Sequence, residues 1–195
     1  MRASEYWDCG AAEFDEASDH GLRDPGVRDA WAGLLLPLLA PVPARVADLG
    51  CGTGTLTVLM AQAGHLVSGL DFAPRMAALA REKIAAAGVV ADVVVGDASS
   101  QPWQAGSFDV VLTRHVLWVM PDPEAALTGW IDLLGPGGRL ILIEGRWSSG
   151  LGLASADVAE LVLRHRSEAE VAMLDDPALW GTPINDERYV ITSRR

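Results

Sequence analysis

Val46-Ala47-Asp48-Leu49-Gly50-Cys51-Gly52-Thr53-Gly54 is an apolar stretch that runs into glycines at alternate positions and then into a helical pattern through Leu56, Leu59 and Met60. Glycines there let the backbone turn sharply and approach a ligand closely, and the helix that follows presents free amide N–H groups to an anionic group. A ligand carboxylate or a ribose fits such a loop. A dinucleotide fingerprint needs its third glycine three places after the second, but that place holds Thr55, so the spacing is G-x-G-x-G and pyrophosphate binding is demoted.

Outward from this loop the chain alternates. Apolar runs of strand length at Arg45–Leu49, Leu66–Leu70, Asp92–Val95, Phe108–Leu112 and Arg139–Ile143 are separated by segments of helix length, a rhythm that predicts a mainly parallel sheet covered on both faces. Pro74 suits a first helical position, Met76, Leu79, Ala80 and Ile84 form the stripe, and Gly88 supplies the stop. Lys83 falls off that stripe and reads as solvated. Pro121 and Pro123 open a second helical segment running to Leu134, after which Gly135-Pro136-Gly137-Gly138 predicts a turn into the next strand. Later come a helix around Ser155–Arg164, a strand near Glu170–Leu174 and a last strand at Arg188–Ser193, the two strands forming an antiparallel edge. The first forty residues read as two helical stretches split by a turn at Asp19-His20-Gly21, with Asp24 as N-cap and Pro25 at the first helical position of the second. Residues 1–40 are therefore expected to form a helical cap or lid, and residues 41–195 the core of a single compact domain.

Composition narrows the function. The chain has 195 residues, half of them hydrophobic, and a formal net charge of −11, which repels phosphate backbones and anionic lipid, so no nucleic acid and no membrane insertion are expected. Leu34–Ala40, the most apolar segment, is interrupted by Pro37 and far too short to span a bilayer, and Met1–Trp7 has no basic stretch leading into an apolar run. A cytoplasmic protein is the expectation. Cys9 and Cys51 sit in unlike contexts with no metal-ligand or disulfide spacing, and neither they nor any carboxylate cluster suggests a metal. Lys83 is the only lysine, which removes the lysine of a phosphate loop and disfavours Schiff-base chemistry.

Two acids complete the pattern. The second strand ends in Leu70-Asp71, where a carboxylate can accept from two ribose hydroxyls, and the third ends in Val95-Gly96-Asp97-Ala98, beside the crevice where open α/β sheets bind ligands. With Ser107-Phe108-Asp109-Val110-Val111 and Leu133-Leu134-Gly135-Pro136-Gly137-Gly138-Arg139-Leu140, these motifs in this order resemble the class I S-adenosylmethionine-dependent methyltransferases, specifically the small-molecule branch with a minimal domain. The resemblance covers nearly the whole chain. It implies a Rossmann-like, seven-stranded, mostly parallel sheet in the order 3-2-1-4-5-7-6, with helices on both faces, and S-adenosyl-L-methionine as cofactor, leaving as S-adenosyl-L-homocysteine.

By that resemblance Gly50, Cys51, Gly52 and Gly54 contact the cofactor, Asp48 steadies the loop and Asp71 holds the ribose. Phe72 and Met76 flank the adenine, Asp97 binds its amino group, and Ala98 offers a backbone amide. Thr113 or Arg114 lies near the amino-acid end, and Tyr6 and Trp7 belong to an N-terminal segment that closes over it. Methyl transfer needs few catalytic groups, because the donor is already activated; the protein aligns the acceptor, excludes water and, where needed, removes a proton. His115, just past the fourth strand, and His20 are the candidate bases, and the other reading of His115 is a pocket wall. Glu144, Arg146, Trp147 and Trp118 are placed to touch an acceptor. The expected activity is methyl transfer to O, N or C of a small organic acceptor by a monomer or homodimer. The alternatives are a non-catalytic regulatory protein that binds S-adenosylmethionine or S-adenosylhomocysteine and, weakened by the glycine spacing, a nicotinamide dehydrogenase.

Overall fold

The computed structural model of the chain describes residues 3–194, with side chains from residue 5 onward; the ends of the cap and core segments expected above, residues 1–2 and 195, lie outside them. Seven strands form one sheet in the order β3-β2-β1-β4-β5-β7-β6, as the sequence led one to expect. They are β1 (Arg45–Leu49), β2 (Leu66–Asp71), β3 (Ala91–Val95), β4 (Phe108–Arg114), β5 (Leu134–Arg146), β6 (Glu170–Met173) and β7 (Glu187–Arg194). Strands β1 to β5 pair in parallel, and β7 runs antiparallel to both β5 and β6.

Eight α-helices surround the sheet among the described residues: α1 (Ala3–Gly10), α2 (Ser18–Gly21), α3 (Pro25–Leu35), α4 (Thr55–Gln62), α5 (Pro74–Ala87), α6 (Pro123–Asp132), α7 (Ser155–Leu163) and α8 (Pro177–Trp180). The period-two alternation of the strands sorts their side chains onto two faces. Val46, Val110, Leu112, Ile141 and Ile143 pack with Trp31 and Leu35 of α3 and Leu56 and Met60 of α4. Their neighbours Ala47, Val111, Leu140 and Leu142 pack with Leu127 and Trp130 of α6 and Val158 and Val162 of α7.

Local signals act as their chemistry dictates. Asp24 caps α3 by accepting from the Val27 amide (3.1 Å), with Pro25 at the first helical position. Pro74 opens α5, and Gly88, in the left-handed region at φ +66°, closes it. One expectation is corrected. Gly135–Gly138 is no turn before the strand but a bulge inside it: Phe108 pairs with Leu134 and Val110 with Arg139, so the extra residues loop out opposite Asp109. Asp19-His20-Gly21 is the hydrogen-bonded turn expected, a single helical turn, α2, held by amides of His20 and Gly21 donating to the Ala17 carbonyl. Trp31 and Leu35 place α3 inside the core, so it is the segment ahead of α3 that lies over the sheet's carboxyl end.

Candidate active site

The parallel register sets the site. Leu49 pairs with Leu70 and with Thr113, and Asp71 with Val95, so the ends of β1, β2, β3 and β4 come out level where the strand order reverses between β1 and β4, the place at which such sheets hold ligands. A cavity of about 570 Å³ opens there, within the range of roughly 300–1,000 Å³ common to small-molecule sites.

The glycine loop forms one wall. The amides of Gly50 and Cys51 both donate to the Leu70 carbonyl, at 2.7 and 3.0 Å, which ties the loop to the end of β2. A Cβ on Gly52, at φ +55°, would sit in ordinary van der Waals contact with the Phe14 ring at 3.5 Å, so Phe14 lies directly over the loop. Gly54 serves a different end: its φ is +78°, and a Cβ there would stand 2.8 Å from that of Ala80. It lets α4 start close against α5 and does not line the cavity, which corrects its expected ligand contact. Asp48 is buried and accepts from the Thr57 hydroxyl at 2.6 Å; burial raises its carboxyl to about 6.

Asp71, also buried, accepts from the Gly52 amide through Oδ2 (2.8 Å) and from the Ala73 amide through Oδ1 (2.9 Å). Burial raises its pKa and these two bonds oppose the rise. Phe72, Met76, Asp97 and Ala98 reach the same wall. Asp97 is exposed, and one of its oxygens accepts from the amide and hydroxyl of Ser99.

The opposite wall follows β4. Arg114 lines the cavity, donates to the Asp19 carbonyl at 2.6 Å and stacks its guanidinium over Trp31 at 5.0 Å. Thr113 is buried behind it and does not face the cavity; in an extended strand, neighbouring side chains point to opposite faces. His115 then takes a left-handed conformation, φ +59°, its amide donating to Ile143 at 2.8 Å. The residue is half-buried, its ring edge-on to Trp147 at 5.1 Å, and its shielded Nε2 has no hydrogen-bond partner. Burial first, then Arg114, Arg188 and His20, push its pKa well below the usual histidine value, so the imidazole is neutral at pH 7. Glu144 is not an acceptor contact: it lies under the turn after His115, where Oε1 accepts from the Val116 and Leu117 amides at 2.9 and 2.7 Å. Arg146 is exposed and away from the cavity, whereas Trp118 and Trp147 line it with their rings 5.2 Å apart.

The N-terminal segment forms the roof. Trp7, Phe14 and His20 line the cavity, His20 stacked on Phe14 at 4.2 Å, with its pKa lowered chiefly by burial. Tyr6 is 66% exposed, packs only edge-on against Trp7 and does not reach the site. Lys83, read as solvated from its helical position, is half-buried: it pairs with Asp15 at 2.7 Å and donates to the hydroxyls of Thr53 (2.9 Å) and Thr55 (2.6 Å). Arg188 of β7 is the wall residue with no warning in the loop motifs. Its one signal is an arginine beside the apolar run Tyr189-Val190-Ile191, where a cation is out of place without a purpose.

Sheet order, glycine loop and the acids at successive strand ends define an α/β nucleoside-binding fold of the methyltransferase kind. Residues 47–142 match a family model described as a methyltransferase domain, and the chain belongs to the class I S-adenosylmethionine-dependent methyltransferase family. It is 36% identical over 144 residues to a ubiquinone biosynthesis O-methyltransferase of Xanthomonas euvesicatoria, covering 72% of this chain and 56% of the relative. It is 38% identical over 108 residues to a demethylmenaquinone methyltransferase of Thermus thermophilus, covering 54% and 49%. The chain thus spans about half the length of the curated relatives it matches. Among solved structures, the cyclase SpnF superposes with a TM-score of 0.73 at 19% identity over 86% of this chain and 80% of its own. Magnesium protoporphyrin IX methyltransferase of Synechocystis superposes at 0.65 with 23% identity, over 86% and 77%. These two likenesses show the fold, and a cyclase among them illustrates that a fold does not fix a reaction.

Proposed function

We propose that this chain is an S-adenosylmethionine-dependent methyltransferase acting on a small organic acceptor. The observation that carries the reading is one continuous cavity with two unlike ends: glycine loop, Asp71, Phe72 and Asp97 at one, His115, Trp118 and Trp147 at the other. The residues present fit the cofactor. Gly50, Gly52 and Phe14 line the cavity, α4 starts its unpaired amides beside the loop, and Asp71 and Asp97 stand at the ends of adjacent strands.

When bound, the cofactor supplies a methyl carbon already activated on a sulfonium, open to in-line displacement by an acceptor lone pair. The chain's own work is placement and exclusion of water. Asp71 takes the ribose hydroxyls, Asp97 the adenine amine, and Phe72 and Met76 the faces of the base. Phe14 and Trp7 close the roof above Gly52. His115 meets the acceptor as a neutral imidazole, whose Nε2 accepts from a protonated acceptor hydroxyl or, in the Nε2–H tautomer, donates to an ionised one; its depressed pKa makes it a weak base that takes a proton only from an acidic acceptor. The printed names of the curated relatives, in ubiquinone biosynthesis and demethylmenaquinone methylation, put phenols and quinols first among candidate acceptors.

The test is incubation of the purified chain with S-adenosylmethionine and a panel of phenols, quinols, amines and enolisable carbon acids, read by mass spectrometry. A gain of one methyl group on an acceptor, matched by S-adenosylhomocysteine, is expected. Tight S-adenosylhomocysteine binding with no acceptor methylated across the panel would favour the regulatory reading.

A further inference from the structure

The inner end of the cavity is built around Arg188. Its guanidinium lies over the Trp147 ring at 4.8 Å and near the Trp180 ring at 5.5 Å. One terminal nitrogen donates to Asp186 at 3.1 Å, and the other to the Glu187 carbonyl at 3.3 Å. Nε has no hydrogen-bond partner, although the residue is only 7% exposed. His115, on the same cavity wall, has Nε2 in the same condition.

Neighbouring residues are shaped to hold this arrangement. A Cβ at Gly145 would stand 2.8 Å from the Arg188 Cδ, so β5 gives up a side chain where the arginine crosses it. Gly152, at φ +91°, folds the loop back so closely that a Cβ there would meet the Trp147 ring at 2.6 Å. Asp186 holds both the Ser148 amide and Arg188. A cation, an unpaired N–H donor and flat indole surfaces thus meet at one end of a cavity whose other end is lined by acids.

Resting on the function proposed above, we propose that Arg188 determines acceptor specificity: with the neutral His115 ring in its Nε2–H tautomer donating alongside, it anchors an acidic oxygen, phenolate or carboxylate, carried by a flat aromatic acceptor seated against Trp118 and Trp147. Buried polar groups without partners are the ones a ligand satisfies, and a guanidinium suits an oxyanion in both charge and direction. An ammonium acceptor meets repulsion from the same group.

The experiment has two stages. S-adenosylhomocysteine is first titrated into the chain, which reports on the proposed function alone. The saturated protein is then titrated with benzoate, nitrophenolate, benzamide and benzylamine at one pH. Benzoate or nitrophenolate is expected to bind at least about tenfold more tightly than the neutral and cationic probes, and which of the two wins separates carboxylate from phenolate. Arg188→Met is expected to abolish that preference, and Arg188→Lys, which keeps the charge and loses Nε–H, to retain part of it; circular dichroism checks that each variant is folded. Equal affinity across the four probes, or a preference unchanged in Arg188→Met, overturns the proposal even where S-adenosylhomocysteine binds. Should Arg188→Met not fold, the wild-type ranking and Arg188→Lys decide.

Discussion

His115 holds a backbone conformation that disfavours any side chain, at a cost of about 1–2 kcal/mol for a residue with a Cβ, inside a pocket that disfavours its charge. Such a conformation persists where the surroundings over-determine it. Here its own amide is bound to Ile143, and the next two amides to Glu144. Replacing His115 with Ala is expected to lower kcat roughly tenfold to a hundredfold, the range lost with one well-placed hydrogen bond, while S-adenosylhomocysteine affinity, read by calorimetry, moves much less. Equal losses in both would make it a donor-site residue. Glu144 gives a prediction in pH. Burial raises its carboxyl from 4.5 to about 8, so the folded state binds a proton that the unfolded chain has released. Its contribution to stability is full below pH 4.5 and is lost as pH rises toward 8. Glu144→Gln keeps an acceptor for the two amides and cannot ionise. The variant is expected to match wild type near pH 4.5 and to exceed its Tm by several degrees at pH 8; parallel Tm curves would refute the assignment. His115 was legible as a candidate because it follows a strand end, but the partner that shapes its turn was not, since Glu144 sits 28 positions or so along the chain.

Among the elements, the five parallel strands were legible because buried strands are written as short apolar runs. The bulge at Gly135–Gly138 was not, because glycines mark a break in pairing without saying where the hydrogen bonds go next. Lys83 shows the same limit: a helical stripe says which face is apolar and cannot say that another element brings a carboxylate to the polar face. That carboxylate, Asp15, comes from the roof segment, and the lysine also reaches Thr53 in the glycine loop and Thr55 at the start of α4. Farther out, Asp8 accepts from the Arg75 amide at 2.9 Å, at the start of α5. The roof is therefore fastened to the loop it covers. Lys83→Met is expected to weaken S-adenosylhomocysteine binding about tenfold, the effect of losing a partly buried charged contact of ~1.4 kcal/mol, and to expose the segment before Pro25 to limited proteolysis in the absence of ligand. Resistance equal to wild type would show that the aromatic contacts of Trp7, Phe14 and His20 hold the roof alone.

At the scale of the whole molecule, a chain of net charge −11 keeps two arginines, Arg114 and Arg188, at the inner wall of its main cavity. No helix among the described residues is long and apolar enough to cross a membrane. The reversal of strand order between β1 and β4 puts the crevice beside the glycine loop, and the antiparallel β7 carries Arg188 into its far end. The first follows from motifs with a fixed spacing. The second arises only after folding, from a strand more than seventy residues beyond His115, which is why the cavity end proposed for the nucleoside was readable in the sequence and the end proposed for the acceptor was not. The most direct measurement is calorimetric titration of the chain and of Asp71→Asn with S-adenosylhomocysteine, with NADH run in parallel. Asn keeps an oxygen for one of the two backbone amides that Asp71 holds and removes the charge. One-site micromolar binding of S-adenosylhomocysteine, at least about tenfold weaker in the variant, is expected; binding of NADH in its place, or an affinity that ignores Asp71, would contradict the assignment of this crevice to an adenosine with an amino-acid tail.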